Sequence, residues 1–153
     1  MPDDAAGIAT IYNQGIEDRS ATFETKPRSA ADIDAWLDGV HPVVVVEDNG
    51  KIIAFAATSM YRPRTCYQGI AEFSVYVARE ERGRGAGRLA LEALFAAAKE
   101  HGFWKLVSRV FPENTASRAL LRATDFREVG IYEKHGQLDG VWRDVVIVER
   151  RLG

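Results

Sequence analysis

The sequence contains little cysteine, little net charge and no long apolar run, and each of these absences excludes a class of protein. Cys66 is the single cysteine, which rules out an internal disulfide framework and favours a reducing, cytoplasmic location. The formal net charge is -2, so no overall positive field attracts nucleic acid or an anionic membrane surface. No apolar stretch approaches the roughly 20 residues of a membrane-spanning helix. We therefore expect neither nucleic-acid nor membrane partners.

What is present fits an ordinary globular protein. The chain has 153 residues, of which 46% are hydrophobic and 27% are charged, so we expect one compact domain over residues 1–153. The three histidines, His41, His101 and His135, do not have the spacing of metal ligands, and we expect no metal.

Hydrophobic periodicity predicts the element order ααβββαβαββ. Ser29 is a predicted N-cap and Gly39 a predicted stop for the second helix, and Asp48-Asn49-Gly50 is typical of a hairpin turn. The third helix is expected to bury Leu89 together with other apolar residues. Helices are predicted at 3–16, 29–39, 88–101 and 116–123, and strands at 43–46, 52–60, 70–78, 104–111, 128–134 and 144–151. This order indicates a mixed sheet with helices packed on it, of class α+β or α/β.

A glycine-rich turn lies between the third strand and the third helix. Gly83, Gly85 and Gly87 alternate with arginine and alanine in the run Arg82-Gly83-Arg84-Gly85-Ala86-Gly87-Arg88. Glycines allow backbone N–H groups to approach a ligand, and the helix start adds a positive dipole end, so the turn is a candidate diphosphate site. The spacing is neither a dinucleotide fingerprint nor a nucleotide P-loop. A tight turn with solvated arginines is the alternative.

The strand before this turn carries a glutamate in an unfavourable place. Alternation puts Glu72, Ser74 and Tyr76 on one face of the strand and Phe73, Val75 and Val77 on the other. A carboxylate in a central strand is costly unless it is paired or functional. Glu72 is therefore a candidate functional residue, and a structural ion pair with an arginine or an exposed strand face is the alternative.

These motifs together carry a family resemblance. Ser74-Val75-Tyr76-Val77 followed by Arg82-x-x-Gly85-x-Gly87 resembles the coenzyme A motif of the GNAT acetyltransferases. Three further runs look like the phosphinothricin, methionine sulfoximine and arsinothricin acetyltransferase group: Pro112-Glu113-Asn114-x-Ala116-Ser117, Phe126-Arg127-Glu128-Val129-Gly130 and Gly140-x-Trp142-Arg143-Asp144-Val145-Val146. The segment 135–142 is most similar to the arsinothricin branch.

The resemblance implies a GNAT-like mixed, splayed β-sheet flanked by about four helices, with acetyl-CoA between the strands that end at Val77 and Phe111. Glu72 matches the residue that acts as general base, directly or through water, and Asn114 would bond the cofactor near its reactive end. A homodimer is implied as well, and Trp142 is interpreted as a packing or dimer contact. The implied cofactor-binding residues are Val75, Tyr76 and Val77 for the pantetheine arm and thioester, and Arg82, Gly83, Arg84, Gly85, Ala86, Gly87 and Arg88 for the pyrophosphate.

The chain departs from the family pattern in three places. The family's first strand is expected to be absent or very short. Asp125 occupies the position of a family glycine, and we expect left-handed backbone there with strain of about 1 kcal/mol. Leu121 occupies the place of the tyrosine that serves many relatives as general acid, which leaves water or Tyr76 as weaker candidates.

The loop before the Glu72 strand suggests how an acceptor binds. Arg62 and Arg64, with Tyr67 beyond them, precede the strand and could hold a carboxylate and a phosphinate or arsinate; an exposed basic loop is the alternative. Ser74 shares the face of Glu72, and Phe23 either forms the opposite wall or is an ordinary core residue. These five are the candidate substrate-binding residues.

The resemblance thus implies an acetyl-CoA-dependent N-acetyltransferase that modifies the primary amine of a small amino-acid-like substrate, a detoxification or resistance activity. Two alternatives stay open. The acceptor could be a polyamine, an aminoglycoside or a protein amino terminus, which an acidic pocket would favour. The chain could also be a non-catalytic CoA-binding module, which intact Glu72 and Asn114 argue against.

Overall fold

The computed structural model describes residues 4–19 and 22–153, and its element order is the predicted one. The elements are α1 (Ala5–Asp18), α2 (Ala30–Asp34), β1 (Val43–Asp48), β2 (Lys51–Met60), β3 (Ile70–Val77), α3 (Ala86–Glu100), β4 (Lys105–Val110), α4 (Thr115–Ala123), β5 (Arg127–Leu138) and β6 (Val141–Arg151). Single 3-10 turns lie at Thr65–Tyr67 and Arg79–Glu81. The predicted start of the first helix at Asp3, and any strand before it, fall on residues 1–3, outside the described residues.

The six strands form one mixed sheet in the order β1-β2-β3-β4-β6-β5. All neighbours are antiparallel except β3 and β4, which are parallel and are connected through α3. The tight β1–β2 turn confirms the predicted hairpin, since Asn49 and Gly50 both have positive φ, 52° and 77°. The predicted class, a mixed sheet covered by helices, is confirmed.

Strand alternation places the two larger cores on opposite faces of the sheet, and a third, smaller cluster consists of Phe111, Leu138 and Val145. In β2, Ala54 and Ala56 belong to the core that includes α3, whereas Phe55 and Ala57 belong to the core that includes α1 and α2. The small side chains on the first face leave room for α3. The same alternation runs along β3 and decides which of its side chains can reach a cavity on the α1 side.

Two glycines bring α1 close to the sheet. A Cβ on Gly15 would lie 2.8 Å from the Tyr76 ring, and a Cβ on Gly7 would lie 2.9 Å from Cδ1 of Ile52. The two glycines are eight residues apart, so they share the face of the helix that meets the sheet. Glycine at these positions sets the distance between α1 and the strands β2 and β3.

Several boundaries differ from the predicted ones. The Ser29 cap is confirmed, with a reciprocal capping box to Asp32, but α2 ends at Asp34 and continues as turns instead of reaching Gly39. The expected burial of Leu89 is wrong: it is 57% exposed, because it lies on the opposite side of α3 from buried Leu91. The last two strands extend to a turn at Asp139 and Gly140, both at positive φ, which the periodicity did not reveal.

The end of α4 explains the role of Asp125. Its φ is 70°, which confirms the expected left-handed backbone. The Phe126 N–H donates to the Leu121 carbonyl at 2.9 Å and the Asp125 N–H donates to the Arg122 carbonyl at 3.1 Å. This pair of bonds is a Schellman motif, in which the left-handed position usually carries glycine. Asp125 thus ends the helix correctly, at the cost of a Cβ in a strained region.

Replacing that side chain should stabilise the protein. We expect Asp125→Gly to raise the free energy of unfolding by about 1 kcal/mol, because the left-handed strain disappears. The ion pair that is lost, 4.0 Å to Arg150 with the Asp125 side chain 86% exposed, contributes little. Urea unfolding measures the change. Asp125→Ala is the matched control, since it removes the carboxylate but keeps Cβ, and a glycine variant no more stable than the alanine variant would contradict the interpretation.

Candidate active site

The sheet splits between its two parallel strands. β3 and β4 pair at Ile70 with Lys105, Ala71 with Leu106 and Glu72 with Val107, and pairing stops there although both strands continue. Just past the last pair, the Ser108 hydroxyl donates to the Phe73 carbonyl at 2.8 Å. A side chain therefore takes the place of the next backbone hydrogen bond of the ladder. Beyond this point, which we call the fork, the two strands separate.

The space beyond the fork is a small gap between the strands and α4. Ser74, Val75 and Tyr76 line it from β3, with Ser108, Arg109, Val110, Asn114, Ser117 and Leu121 on the other side. The Asn114 side chain caps α4 by accepting the Ser117 N–H at 3.2 Å. Of the predicted cofactor-binding residues, Val75, Tyr76 and Asn114 thus meet in one place.

The glycine-rich turn lies where β3 leads into α3. Gly83 and Gly85 have positive φ, 80° and 86°, and Gly85 is the N-cap of α3, where no side chain caps the first turn. The first-turn N–H groups are therefore available to an anion, which fits the predicted diphosphate site. Gly87 packs tightly: a Cβ there would come within 3.0 Å of Leu120 and 3.3 Å of Val77.

The three arginines of the turn make ion pairs at the surface. Arg82 contacts Asp18 of α1 at 2.8 Å, Arg84 contacts Glu81 at 2.6 Å and Arg88 contacts Glu92 at 3.0 Å. Their side chains are 44%, 65% and 56% exposed, so these pairs are weak and can be exchanged for a stronger anion. The charges needed by a diphosphate are in place beside the open helix end.

On the α1 side of the fork there is a cavity of about 730 Å³. Glu72, Ser74 and Tyr76 line it from β3 and Arg109 lines it from β4, while Phe23 contributes from the loop after α1. Because the gap and the cavity share Ser74, Tyr76 and Arg109, they meet at the point where the sheet splits. Two ligands that entered from opposite sides would meet at that point.

Glu72 lines the cavity beside this junction and contacts two guanidinium groups. Arg109 Nη2 is 3.3 Å from Oε1 and 3.5 Å from Oε2 of Glu72, and Arg62 Nη1 is 4.0 Å from Oε1. The Glu72 side chain is 27% exposed, so the arginine pairing that the sequence left open does exist. It is formed at a cavity wall and not in a closed core.

The other predicted acceptor residues divide into two groups. Ser74 and Phe23 line the cavity, and Phe23 also packs edge-on against Phe111 with ring centroids 5.0 Å apart, so it is both wall and packing residue. Of the arginine loop, Arg62 approaches Glu72. Arg64 and Tyr67 lie at or within the 3-10 turn before β3 and are not among the described residues that line the cavity.

Sequence reasoning missed Arg109 and Arg28, which also line the cavity. Arg109 had a usable signal: like the carboxylate of Glu72, a guanidinium inside a predicted strand is costly to bury unless it is paired. Arg109 lies two positions after Val107, the partner of Glu72, so alternation puts Arg109 on the same face of the sheet as Glu72. Arg28 gave no such signal, because it follows Pro27 in a loop.

Tyr76 is held in the α1-side core. Burial raises the pKa of its phenol far above the ordinary value, and its ring packs edge-on against Tyr12 with centroids 5.2 Å apart. A phenol with such a raised pKa donates its proton reluctantly, which fits its low rank as a candidate acid.

The described residues contain neither a cluster of metal ligands nor a membrane-spanning helix. No group of three or more His, Cys, Asp or Glu side chains in residues 4–19 and 22–153 is arranged to hold a metal ion. Within the same residues, no helix is long and apolar enough to cross a membrane.

Known proteins resemble this chain over nearly its whole length. The model of the acetyltransferase (GNAT) family matches residues 8–126. The chain is 35% identical to phosphinothricin N-acetyltransferase of Alcaligenes faecalis over 98% of this chain and 79% of that protein. It is 31% identical to L-methionine sulfoximine/L-methionine sulfone acetyltransferase of Pseudomonas paraeruginosa over 97% of this chain and 90% of that protein. This chain also resembles the crystal structure of a Sinorhizobium meliloti phosphinothricin acetyltransferase in complex with AcCoA. The TM-score is 0.90 at 30% identity, and the match covers 100% of this chain and 85% of that chain.

The hydrogen bond at the fork should contribute measurably to stability. We expect Ser108→Ala to lower the free energy of unfolding by about 1–2 kcal/mol, because the Phe73 carbonyl loses its donor where the strands separate. Urea unfolding measures the change. Ser59→Ala, an exposed serine on neighbouring β2, is the control and should change stability little; equal losses in both variants would show that the fork does not depend on this bond.

Proposed function

This chain belongs to the acetyltransferase (GNAT) family and is an acetyl-CoA-dependent N-acetyltransferase, and on that premise we propose that its acceptor is a small amino-acid-like amine of the phosphinothricin or methionine sulfoximine type. The observation that carries this proposal is the ion pair between Glu72, which lines the acceptor cavity, and Arg109, which lines both the cavity and the gap between the strands. The role that follows is detoxification of such amino acids.

The gap and the glycine-rich turn hold the donor in this proposal. Acetyl-CoA supplies an acetyl group activated as a thioester. The β3 peptide groups of Val75 to Val77 lie past the end of β4 pairing and can bind a pantetheine arm, with Asn114 at the reactive end. The first-turn N–H groups of α3 and the surrounding arginines, from Arg82 to Arg88, bind the diphosphate.

Glu72 is the proposed general base. A primary amine is largely protonated at neutral pH, so it must transfer a proton before it attacks. The Glu72 carboxylate, in the cavity beside the gap, can accept that proton directly or through water. Donors in β3 beyond the fork would polarise the acetyl carbonyl. The thiolate that leaves has a pKa of about 8.5, so no strong acid is needed, in keeping with Leu121 on the wall of the gap.

The charges of the cavity support an acceptor that carries both signs. Glu24, Asp38 and Glu72 contribute negative charge, and Arg28 and Arg109 contribute positive charge. A polycationic acceptor would place its extra ammonium groups near those arginines at an electrostatic cost. An amino acid can pair each of its charges with one of opposite sign.

Activity measurements with an acceptor panel test the proposal. We expect thiol release from acetyl-CoA to be rapid with phosphinothricin or methionine sulfoximine and slow with spermidine or a peptide amine. Glu72→Gln should lower kcat by about 100-fold or more, because it removes the base while keeping the shape. Glu100→Gln, on the exposed end of α3, is the control. An unimpaired Glu72→Gln enzyme would exclude Glu72 as the base.

We also propose a cytoplasmic homodimer. The single exposed thiol of Cys66 suits a reducing compartment. Exposed large apolar residues concentrate on the last hairpin, and such patches mark association surfaces; they are Val129, Ile131, Tyr132, Val141 and Trp142. β5 is also an edge strand. The hairpin is therefore the proposed dimer contact.

Sedimentation velocity tests the dimer. We expect the wild-type chain to sediment as a dimer and Trp142→Glu to sediment as a monomer, because a charge on the hairpin cannot be buried between two copies. Trp104→Glu is a matched control, since Trp104 is 56% exposed and Trp142 is 54% exposed. A monomeric wild-type chain, or equal dissociation of both variants, would rule out this contact.

A further inference from the structure

Arg109 makes an ion pair that the proposed chemistry cannot leave in place. Its Nη2 lies between the two Glu72 oxygens, at 3.3 Å and 3.5 Å. An acceptor ammonium must reach those same oxygens if Glu72 is to take its proton. The guanidinium and the acceptor therefore compete for one carboxylate, and this competition needs a structural resolution.

The pair can be exchanged. Both distances are long for charge-assisted hydrogen bonds, which normally measure about 2.7–2.9 Å. The Arg109 side chain is 46% exposed, and in the described part of the chain Glu72 is its only hydrogen-bond partner. A guanidinium is a planar group with five N–H donors, so most of the Arg109 donors remain available to a ligand in the cavity that Arg109 lines.

From this geometry, and resting on the proposed function, we infer that Arg109 is the receptor for the α-carboxylate of the acceptor and exchanges Glu72 for that carboxylate when the acceptor binds. The ammonium and carboxylate of an α-amino acid are attached to one carbon. An ammonium on Glu72 therefore brings the carboxylate next to Arg109, and both protein charges keep a partner of opposite sign.

This exchange makes Arg109 a specificity-determining residue. An amine without a neighbouring anion can displace Arg109 from Glu72 only by leaving the guanidinium unpaired beside an ammonium, which is unfavourable. The free carboxylate of the acceptor is thus required before Glu72 becomes available as a base. In the absence of acceptor, Arg109 occupies the base.

Arg62 is the rival receptor, because its Nη1 is 4.0 Å from Glu72 Oε1. Three observations favour Arg109. It lies closer to the carboxylate, it is on a strand while Arg62 is on an exposed loop, and it is Arg109 that lines the cavity. The Arg62 guanidinium also stacks on the Tyr61 ring, 4.4 Å from its centroid, and donates to the Tyr61 carbonyl at 3.0 Å.

The test compares an acid acceptor with its amide. Methionine sulfoximine has an uncharged side chain, so its α-carboxylate is its single anionic group, and its α-carboxamide removes that charge while keeping the amine. We expect Arg109→Gln to lower kcat/KM for the acid by about 30- to 100-fold, the range of a charged hydrogen bond, mainly through KM. The same variant should use the amide as well as the wild type does or better, because Glu72 is freed. Arg109→Lys should restore part of the activity on the acid.

Each variant is compared with the wild type on the same acceptor, so the different basicity of the two amines does not affect the comparison. Arg127→Gln, which removes an arginine that is 67% exposed on β5, is the control and should leave both rates unchanged. Equal losses of kcat/KM on acid and amide in Arg109→Gln would overturn this inference but not the proposed function. An acid-specific loss in Arg62→Gln and not in Arg109→Gln would do the same. A wild-type enzyme that acetylates none of the amino acids would overturn the proposed function, and this inference with it.

Discussion

The whole site depends on where one parallel strand pairing ends. β3 and β4 share three paired positions, and the ladder ends at Glu72 and Val107. Because the strands then separate, β3 has peptide groups on one edge without a neighbouring strand, and these groups need another partner. The Ser108 hydroxyl satisfies the first of them. The gap that follows, the position of Glu72 at its end and the approach of Arg109 from the other strand are all consequences of this early end of pairing.

The surrounding elements hold the separated strands in place. The Arg118 guanidinium donates to both Glu128 oxygens at 2.9 Å and to the Pro112 carbonyl at 3.0 Å, so it ties α4 to β5 and to the turn after β4. The hydrogen bonds from Arg118 hold the pKa of Glu128 down, at about 2. On the other side Gly87 lets α3 pack closely on β3 and α4. The gap is therefore bounded by rigid elements and not by loops.

Local signals in the sequence predicted much of this arrangement. The cap at Ser29, the turn at Asn49 and Gly50 and the face that carries Glu72 each depend on residues close together in the chain. The left-handed position of Asp125 followed instead from the resemblance, because Asp125 occupies the position of a family glycine. What the sequence could not provide depends on distant partners. The Glu72–Arg109 contact joins residues 37 positions apart, and it exists only because two strands are neighbours in the sheet. Arg64 shows the converse, since closeness to Glu72 in sequence did not bring it to the cavity.

The close packing of α1 on the sheet limits how this helix can vary in evolution. Gly7 and Gly15 fix the distance of α1 from the sheet, and Gly15 packs against the ring of Tyr76, which lines the cavity together with Tyr12. A larger side chain at Gly7 would meet Ile52, which is not among the described residues that line the cavity or the gap, whereas one at Gly15 would meet the Tyr76 ring, which lines both. A substitution at Gly15 would therefore alter the acceptor cavity and the donor gap together, so natural variation at this one position of α1 is constrained by both ligands at once.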